Sequence, residues 1–203
     1  MRESLQRSAI VRASSQNARV IPHLGMEEVR TIADAADRGV NGERDRLLIQ
    51  TLFDACLRVS EGLGIKLADI RIDAHGWSVA VMGKGRRFRI AALSPSLAVA
   101  VNAYAQRNGI GVEDKVWPIT RTRAYQIVRR AMDAAGVQKP DHVGTVHVLR
   151  HSGAIHRLRE THNPKALQDQ LGHSSPEMTL RYLKTLTAEE SIRIQQEVDF
   201  NWA

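Results

Sequence analysis

At 203 residues with 43% apolar content, the chain can build one substantial hydrophobic core but hardly two full domains. Its single cysteine excludes an internal disulfide and fits a reducing compartment, and no apolar run reaches the roughly 18 residues of a membrane span. A formal charge of +7 favours a polyanionic partner, nucleic acid first, because each phosphate neutralised by Lys or Arg releases condensed counterions.

Residues 1–20 carry Arg2, Arg7, Arg12 and Arg19 against Glu3, have little hydrophobic periodicity, and lack the apolar block of a secretory signal. They read as a basic arm, either ordered against phosphates or a neighbouring subunit, or an unstructured tail. Over 25–36 and 41–57 apolar residues recur at three and four positions with acidic residues near the starts, predicting two helices. Cys56, between Ala55 and Leu57, reads as a buried small hydrophobe. Weak alternation over 77–82, turn residues over 83–86 and renewed alternation over 87–91 predict a β-hairpin whose tip holds Lys84, Arg86 and Arg87. Ser94 and Pro95 open a helix over 96–106 that stops near Asn108-Gly109. A further helix over 120–135 ends at Gly136 and carries Arg121, Arg123, Arg129 and Arg130. Those four arginines are candidate DNA contacts on one basic face, the alternative being a solvated surface.

The last third holds the chemistry. A helix over 145–159 places His147 and Arg150 three apart, so both can reach one anion, Arg through its planar fork and His through a hydrogen bond or a proton. Asn163-Pro164 starts a shorter helix ending near Gly172, Ser174-Ser175-Pro176 opens a helix carrying Tyr182, and Thr187 caps a terminal one. Tyr104 and Tyr125 read as packing or surface residues, and His151, His156 and His162 as structural or solvated. Tyr182 alone lies downstream of both clusters, His147 with Arg150 and His173 with its Leu171-Gly172 neighbours. Cutting DNA without losing its bond energy needs a nucleophile that stays on the phosphate and can later be expelled, and a tyrosine fits that need. The expected class is mainly α with one small antiparallel sheet, an α+β domain.

The ordered pieces Leu57-Arg58-Val59-Ser60-Glu61, Gly83-Lys84-Gly85-Arg86-Arg87, His147-Val148-Leu149-Arg150-His151, Leu171-Gly172-His173 and Tyr182 resemble the catalytic domain of the tyrosine recombinases, the phage-type integrases, from about residue 21 onward. The resemblance implies a site-specific recombinase that joins Tyr182 to a DNA 3′-phosphate. It implies Arg58 and Arg150 on the phosphate oxygens, Lys84 as acid for the departing 5′-oxygen, and His147 and His173 assisting the phosphoryl group. It further implies double-stranded DNA as substrate, a homotetramer on two duplexes and a C-terminal segment (184–203) passed between subunits, in which Phe200 and Trp202 either anchor in a neighbour's pocket or fold back onto their own core. The single cysteine and the lack of a secretory signal or membrane span point to a cytoplasmic location. No cofactor, metal or ATP is expected, since the phosphotyrosine link stores the energy for rejoining. Two departures stand out: only about twenty residues precede the matching region, where the family has a clamp domain, so an accessory DNA-binding protein is a possible partner; and Cys56 replaces a common glycine. Two other readings stay open: a nicking-closing enzyme resembling type IB topoisomerases, and a DNA-binding regulator that keeps the fold but not the reaction.

Overall fold

The computed structural model describes residues 21–83 and 88–197. The arm predicted over 1–20, the hairpin tip with Lys84, Arg86 and Arg87, and the terminal Phe200 and Trp202 lie outside the described residues. Within them the order is α1 (Met26–Asp37), α2 (Gly42–Asp54), α3 (Val59–Gly62), β1 (Ile70–Asp73), β2 (Gly76–Met82), β3 (Phe88–Ala92), α4 (Pro95–Arg107), α5 (Arg121–Ala135), α6 (His147–Thr161), α7 (Pro164–Leu171), α8 (Pro176–Leu183) and α9 (Ala188–Gln196). No helix among the described residues is long and apolar enough to cross a membrane.

In α1 the stripe Val29, Ile32, Ala33 and Ala36 is buried, and α2 packs Leu47, Leu48, Leu52 and their neighbours against it. Gly42 permits the close turn between them, because a Cβ there would lie 1.8 Å from the Asp37 carbonyl oxygen. The second helix stops at Asp54, three residues short of the predicted Leu57. The Leu57 N–H reaches back to the Leu52 carbonyl and the Cys56 N–H to that of Phe53, while Cys56 itself sits at φ 52°. This is a Schellman ending with cysteine in the left-handed position glycine usually takes, at a steric cost of about 1–2 kcal/mol. The unusual cysteine therefore marks a sharp turn, and its carbonyl is the acceptor on which the functional pocket is built.

The three strands form one antiparallel sheet in sequence order. The predicted hairpin is β2–β3; β1 is an addition, its four residues too short a run to stand out in the sequence. The register pairs Ile70 with Val79 and Val79 with Ala91, and all three are buried on the face turned to the core. On the outer edge of β3, Gln170 of α7 accepts from the Ala92 N–H at 2.8 Å and donates to its carbonyl at 3.1 Å. A side-chain amide thus takes the place of a fourth strand and docks α7 onto the sheet.

Helix α6 is the axis of the C-terminal half, with Val148, Leu149, Arg150, Ser152, Gly153, Ala154, Ile155 and Leu158 all buried. It begins and ends two residues later than predicted. Gly153 is the point of closest approach to α2: a Cβ would stand 1.9 Å from the Phe53 carbonyl oxygen and 3.2 Å from Cys56 Sγ. A smaller apolar cluster of Cys56, Ala154, Ile155, Leu158, Leu167 and Leu171 encloses Tyr182 of α8. Helix α9 buries no residue and is tied to α6 by the Arg159–Glu190 ion pair at 2.9 Å.

Candidate active site

The Schellman turn after α2, the first turn of α3, strand β3, helix α6 and the end of α7 converge on one carboxylate. Glu61, buried, receives the Arg58 backbone N–H at 2.9 Å and the Arg58 guanidinium at 2.8 Å. The oxygen that takes the backbone N–H also meets Arg89 at 2.8 Å and Arg150 at 3.4 Å, while the Arg58 guanidinium holds the other. Arg150, only 2% exposed, also donates to the Cys56 carbonyl at 2.7 Å and the Leu171 carbonyl at 2.9 Å, bridging the carboxyl ends of two helices. Gly172 closes the ring: at φ 64° it ends α7, and a Cβ there would lie 2.4 Å from Arg89 Cδ. Among the described residues, three guanidiniums against one carboxylate leave two uncompensated positive charges, and the buried Nη1 of Arg89 has no hydrogen-bond partner. A pocket with surplus charge and an unsatisfied buried donor is organised to receive an anion.

Tyr182 enters from α8, where Pro176 at the first turn fixes the helix start. Its hydroxyl lies 2.8 Å from His151 Nδ1, and its ring stacks near His173 with centroids 6.2 Å apart. His147 packs edge-on to His151 at 4.4 Å, so the rings run His147, His151, Tyr182, His173 in a row beside the arginines. His173 is itself oriented by Thr179, whose hydroxyl is 2.9 Å from Nδ1.

Burial pushes the Tyr182 phenol up to about 12, with Arg150 and Arg58 pulling against it. Burial also drives His151 down to about 4, helped by repulsion from His147, Arg150 and His173. His173 falls to about 4 by burial and then the fields of Arg150, Arg58 and Arg89. For Glu61, burial acts upward but is outweighed by the Arg58 N–H, Arg89 and Arg150, which hold it below the usual carboxylate range. Arg150, lowered to about 10 by burial and by Arg58, remains charged at neutral pH. At neutral pH the site therefore contains charged arginines, neutral imidazoles and a neutral phenol.

That state has a stability signature. His151 and His173 charge in the unfolded chain near the ordinary value of about 6.5 but resist charging when folded. Their contribution is complete above the unfolded value and is lost as pH falls toward the folded one. Allowing for partial solvent screening, the expected loss between about pH 7 and about pH 4 is about 3 kcal/mol for the pair. Urea midpoints across this range check it; a flat profile would contradict the neutral pair.

Of the residues singled out by sequence, Arg58, Arg150, His173 and Tyr182 meet here, with His147 at the end of the ring row. Arg150 points inward to carbonyls and Glu61 rather than standing beside His147 as an open clamp, because α6 turns its Arg150 face to the core. The single basic face expected on the 120–135 helix is split. Arg121 shares a cavity of about 430 Å³ with His147 and Tyr125, Arg123 and Arg130 line another beside Ala36 and Val40, and Arg129 pairs with Asp133. Three site residues were missed. His151, a structural or solvated histidine by sequence, touches the Tyr182 hydroxyl; Glu61 stands in the sequence only as part of the Arg58 motif, and Arg89 only as an alternating strand residue. The Arg-x-x-Glu spacing, which lets the carboxylate cap its own helix turn, was the available signal for Glu61. Among the described residues no group of three or more His, Cys, Asp or Glu is placed to hold a metal ion.

Residues 23–189 match the family described as the phage integrase family. Curated relatives include the tyrosine recombinase XerD of Bifidobacterium longum, 29% identical over 195 residues, which span 86% of this chain and 62% of that protein. The tyrosine recombinase XerA of Thermococcus kodakarensis is 33% identical over 163 residues, spanning 76% of this chain and 55% of that protein. This chain therefore spans less than two thirds of the length of either. Among solved structures, the catalytic domain of bacteriophage HP1 integrase aligns with a TM-score of 0.68 at 20% identity, covering 89% of this chain and 95% of that one. The XerH site-specific recombinase bound to its difH substrate before cleavage aligns with a TM-score of 0.71 at 22% identity, over 89% of this chain and 55% of that one. At such identities these structural matches establish the fold.

Proposed function

The chain belongs to the phage integrase family, and from that premise we propose that it is a site-specific recombinase, cleaving and rejoining DNA strands through a 3′-phosphotyrosyl intermediate on Tyr182. One observation carries the reading: a buried tyrosine hydroxyl lies within the field of a pocket with two surplus positive charges. In the forward step Tyr182 Oη bonds to the scissile phosphorus, the bond to the 5′-oxygen breaks, and that oxygen takes a proton. In the reverse step the 5′-hydroxyl attacks the phosphotyrosine and Tyr182 is expelled.

Arg58 and Arg150 stabilise the five-coordinate transition state, with His147 and His173 hydrogen-bonding its oxygens. Lys84, between β2 and β3 in sequence, supplies the proton to the 5′-oxygen. Arg86 and Arg87, with Arg121 as the α5 arginine that shares a cavity with His147, hold phosphates of the duplex and set its position. Four copies act on two duplexes, and the segment from residue 184 onward passes to a neighbour. The exposed character of α9 favours that exchange, since the helix itself holds one ion pair and no buried side chain; in the stretch before it Thr185 is buried and Leu186 packs on the small apolar cluster.

Nicked suicide duplexes randomised across the core sequence, followed by a denaturing gel, test the reaction. A covalent protein-DNA band is expected, and Tyr182→Phe should abolish it while DNA binding persists. Binding without any band would favour the regulator; relaxation by single sites without pairing would favour the nicking-closing enzyme.

A further inference from the structure

We propose that His151 is the group that receives the phenolic proton of Tyr182: its Nδ1 accepts the hydroxyl's hydrogen bond in the resting site and takes the proton as Oη bonds to phosphorus. The inference rests on the reading of Tyr182 as nucleophile and assigns the partner that nucleophile needs.

Geometry comes first. His151 Nδ1 is 2.8 Å from Tyr182 Oη, a hydrogen-bond distance on which a proton can move without rearrangement. Among the described residues no other side chain hydrogen-bonds that hydroxyl, and the tyrosine is only 3% exposed, so water has little access to serve instead. The two residues are held independently. His151 rides on α6, one residue beyond Arg150, whose guanidinium is fixed by three acceptors. Tyr182 rides on α8, its ring enclosed by the small apolar cluster and by His173. His147 meets the His151 ring edge-on, restricting its rotation.

A neutral phenol is the stronger donor of the pair, so the favoured tautomer carries its hydrogen on Nε2 and leaves the Nδ1 lone pair facing Oη. Atoms and charges balance across the step. The Oη–P bond forms, the P–O5′ bond breaks, the phenolic proton passes to Nδ1 and gives an imidazolium, and the 5′-oxygen takes a proton from the acid assigned above. Rejoining runs the same transfers backwards, so His151 returns the proton to the departing phenolate.

The surroundings explain why this transfer waits for substrate. The groups facing His151 are His147 and Arg150 on its own helix, His173 and Tyr182 from the region of α8, with Arg58 beyond them across the pocket. Of these only the arginines are charged at neutral pH, and their positive charge opposes an imidazolium. A phosphodiester brings in the missing negative charge, relieves that repulsion and makes protonation of His151 affordable. The tyrosine thus remains an inert phenol until DNA is bound.

Two measurements test the assignment. Nitrogen NMR of the free protein should find His151 Nδ1 unprotonated and Nε2 protonated at neutral pH; the opposite tautomer, with Nδ1–H donating to Oη, would overturn it. Single-turnover adduct formation should then be compared for wild type and His151→Asn, which keeps a polar atom near Nδ1 but no usable base. Duplexes captured by wild type would be used, with either the normal bridging oxygen or a 5′-bridging sulfur, whose departure needs no acid. The variant is expected to lose roughly 10²–10⁴-fold in rate on both substrates with unchanged DNA affinity. Full activity of the variant, or its recovery on the sulfur substrate alone, refutes proton acceptance from Tyr182. Absence of any wild-type adduct instead strikes the reading of Tyr182 itself, which the tautomer measurement leaves separate.

Discussion

Arg150→Lys is expected to slow strand cleavage by roughly 10²–10³-fold while lowering stability by about 2–4 kcal/mol. Both effects come from shape, because charge is retained. The guanidinium reaches the Cys56 carbonyl with one terminal nitrogen and the Leu171 carbonyl with the other, and touches Glu61 as well. An ammonium is a compact point donor that cannot span those positions. At least one buried carbonyl would lose its partner, and the two helix ends that Arg150 ties together would be free to separate. The rate falls for a related reason. A donor that must be reorganised when phosphate arrives gives up the advantage of being in place beforehand, which is where the stabilisation of the transition state resides. Adduct formation on suicide duplexes and urea denaturation measure the two losses separately. A destabilised variant that cleaves at the normal rate would make Arg150 a purely structural residue.

The contrast between what the sequence disclosed and what it concealed follows from the range of the interactions. Helices α5, α7 and α9 were legible because their caps are local: Thr120, Asn163 and Thr187 each accept a backbone N–H three residues on, and Gly136 and Gly172 end two of them with positive φ. Tyr182 and the order of the arginine and histidine pieces were legible as a pattern. The partners within the site were not. Glu61 and Arg150 are 89 positions apart, Arg89 and Glu61 28, and His151 and Tyr182 31, and no periodicity reports on such distances. A single histidine on a helix is more often structural, and only the packing of α8 against α6 brings His151 onto the hydroxyl. The inward turn of Arg150 was hidden for the same reason, since three-residue spacing says that two side chains share a face but not whether that face meets solvent or core. Splitting of the α5 arginines was foreseeable: at about 100° per residue, positions nine apart lie on opposite sides of a helix.

Glu61→Gln should be the most damaging isosteric change in the protein, removing about 3–5 kcal/mol of stability, because it leaves Arg58, Arg89 and Arg150 clustered without their shared counter-charge. Size is preserved, so the loss comes from the missing charge and the acceptor removed with it. The amide offers one acceptor where the carboxylate offers two, and its NH₂ would face guanidinium donors. The same reasoning predicts an unusual rescue. With the carboxylate gone, the pocket's surplus rises from two positive charges to three, so an added anion gains more in the variant than in wild type. Inorganic phosphate should therefore raise the urea midpoint of Glu61→Gln further than that of the wild-type protein, while cleavage stays impaired because phosphate cannot restore the placement of Arg58 and Arg150. Sodium chloride at matched ionic strength separates specific occupation from general screening. Equal phosphate responses in the two proteins would mean that the arginine cluster is not an anion site, and with it would go the electrostatic basis for assigning Arg58 and Arg150 to the scissile phosphate.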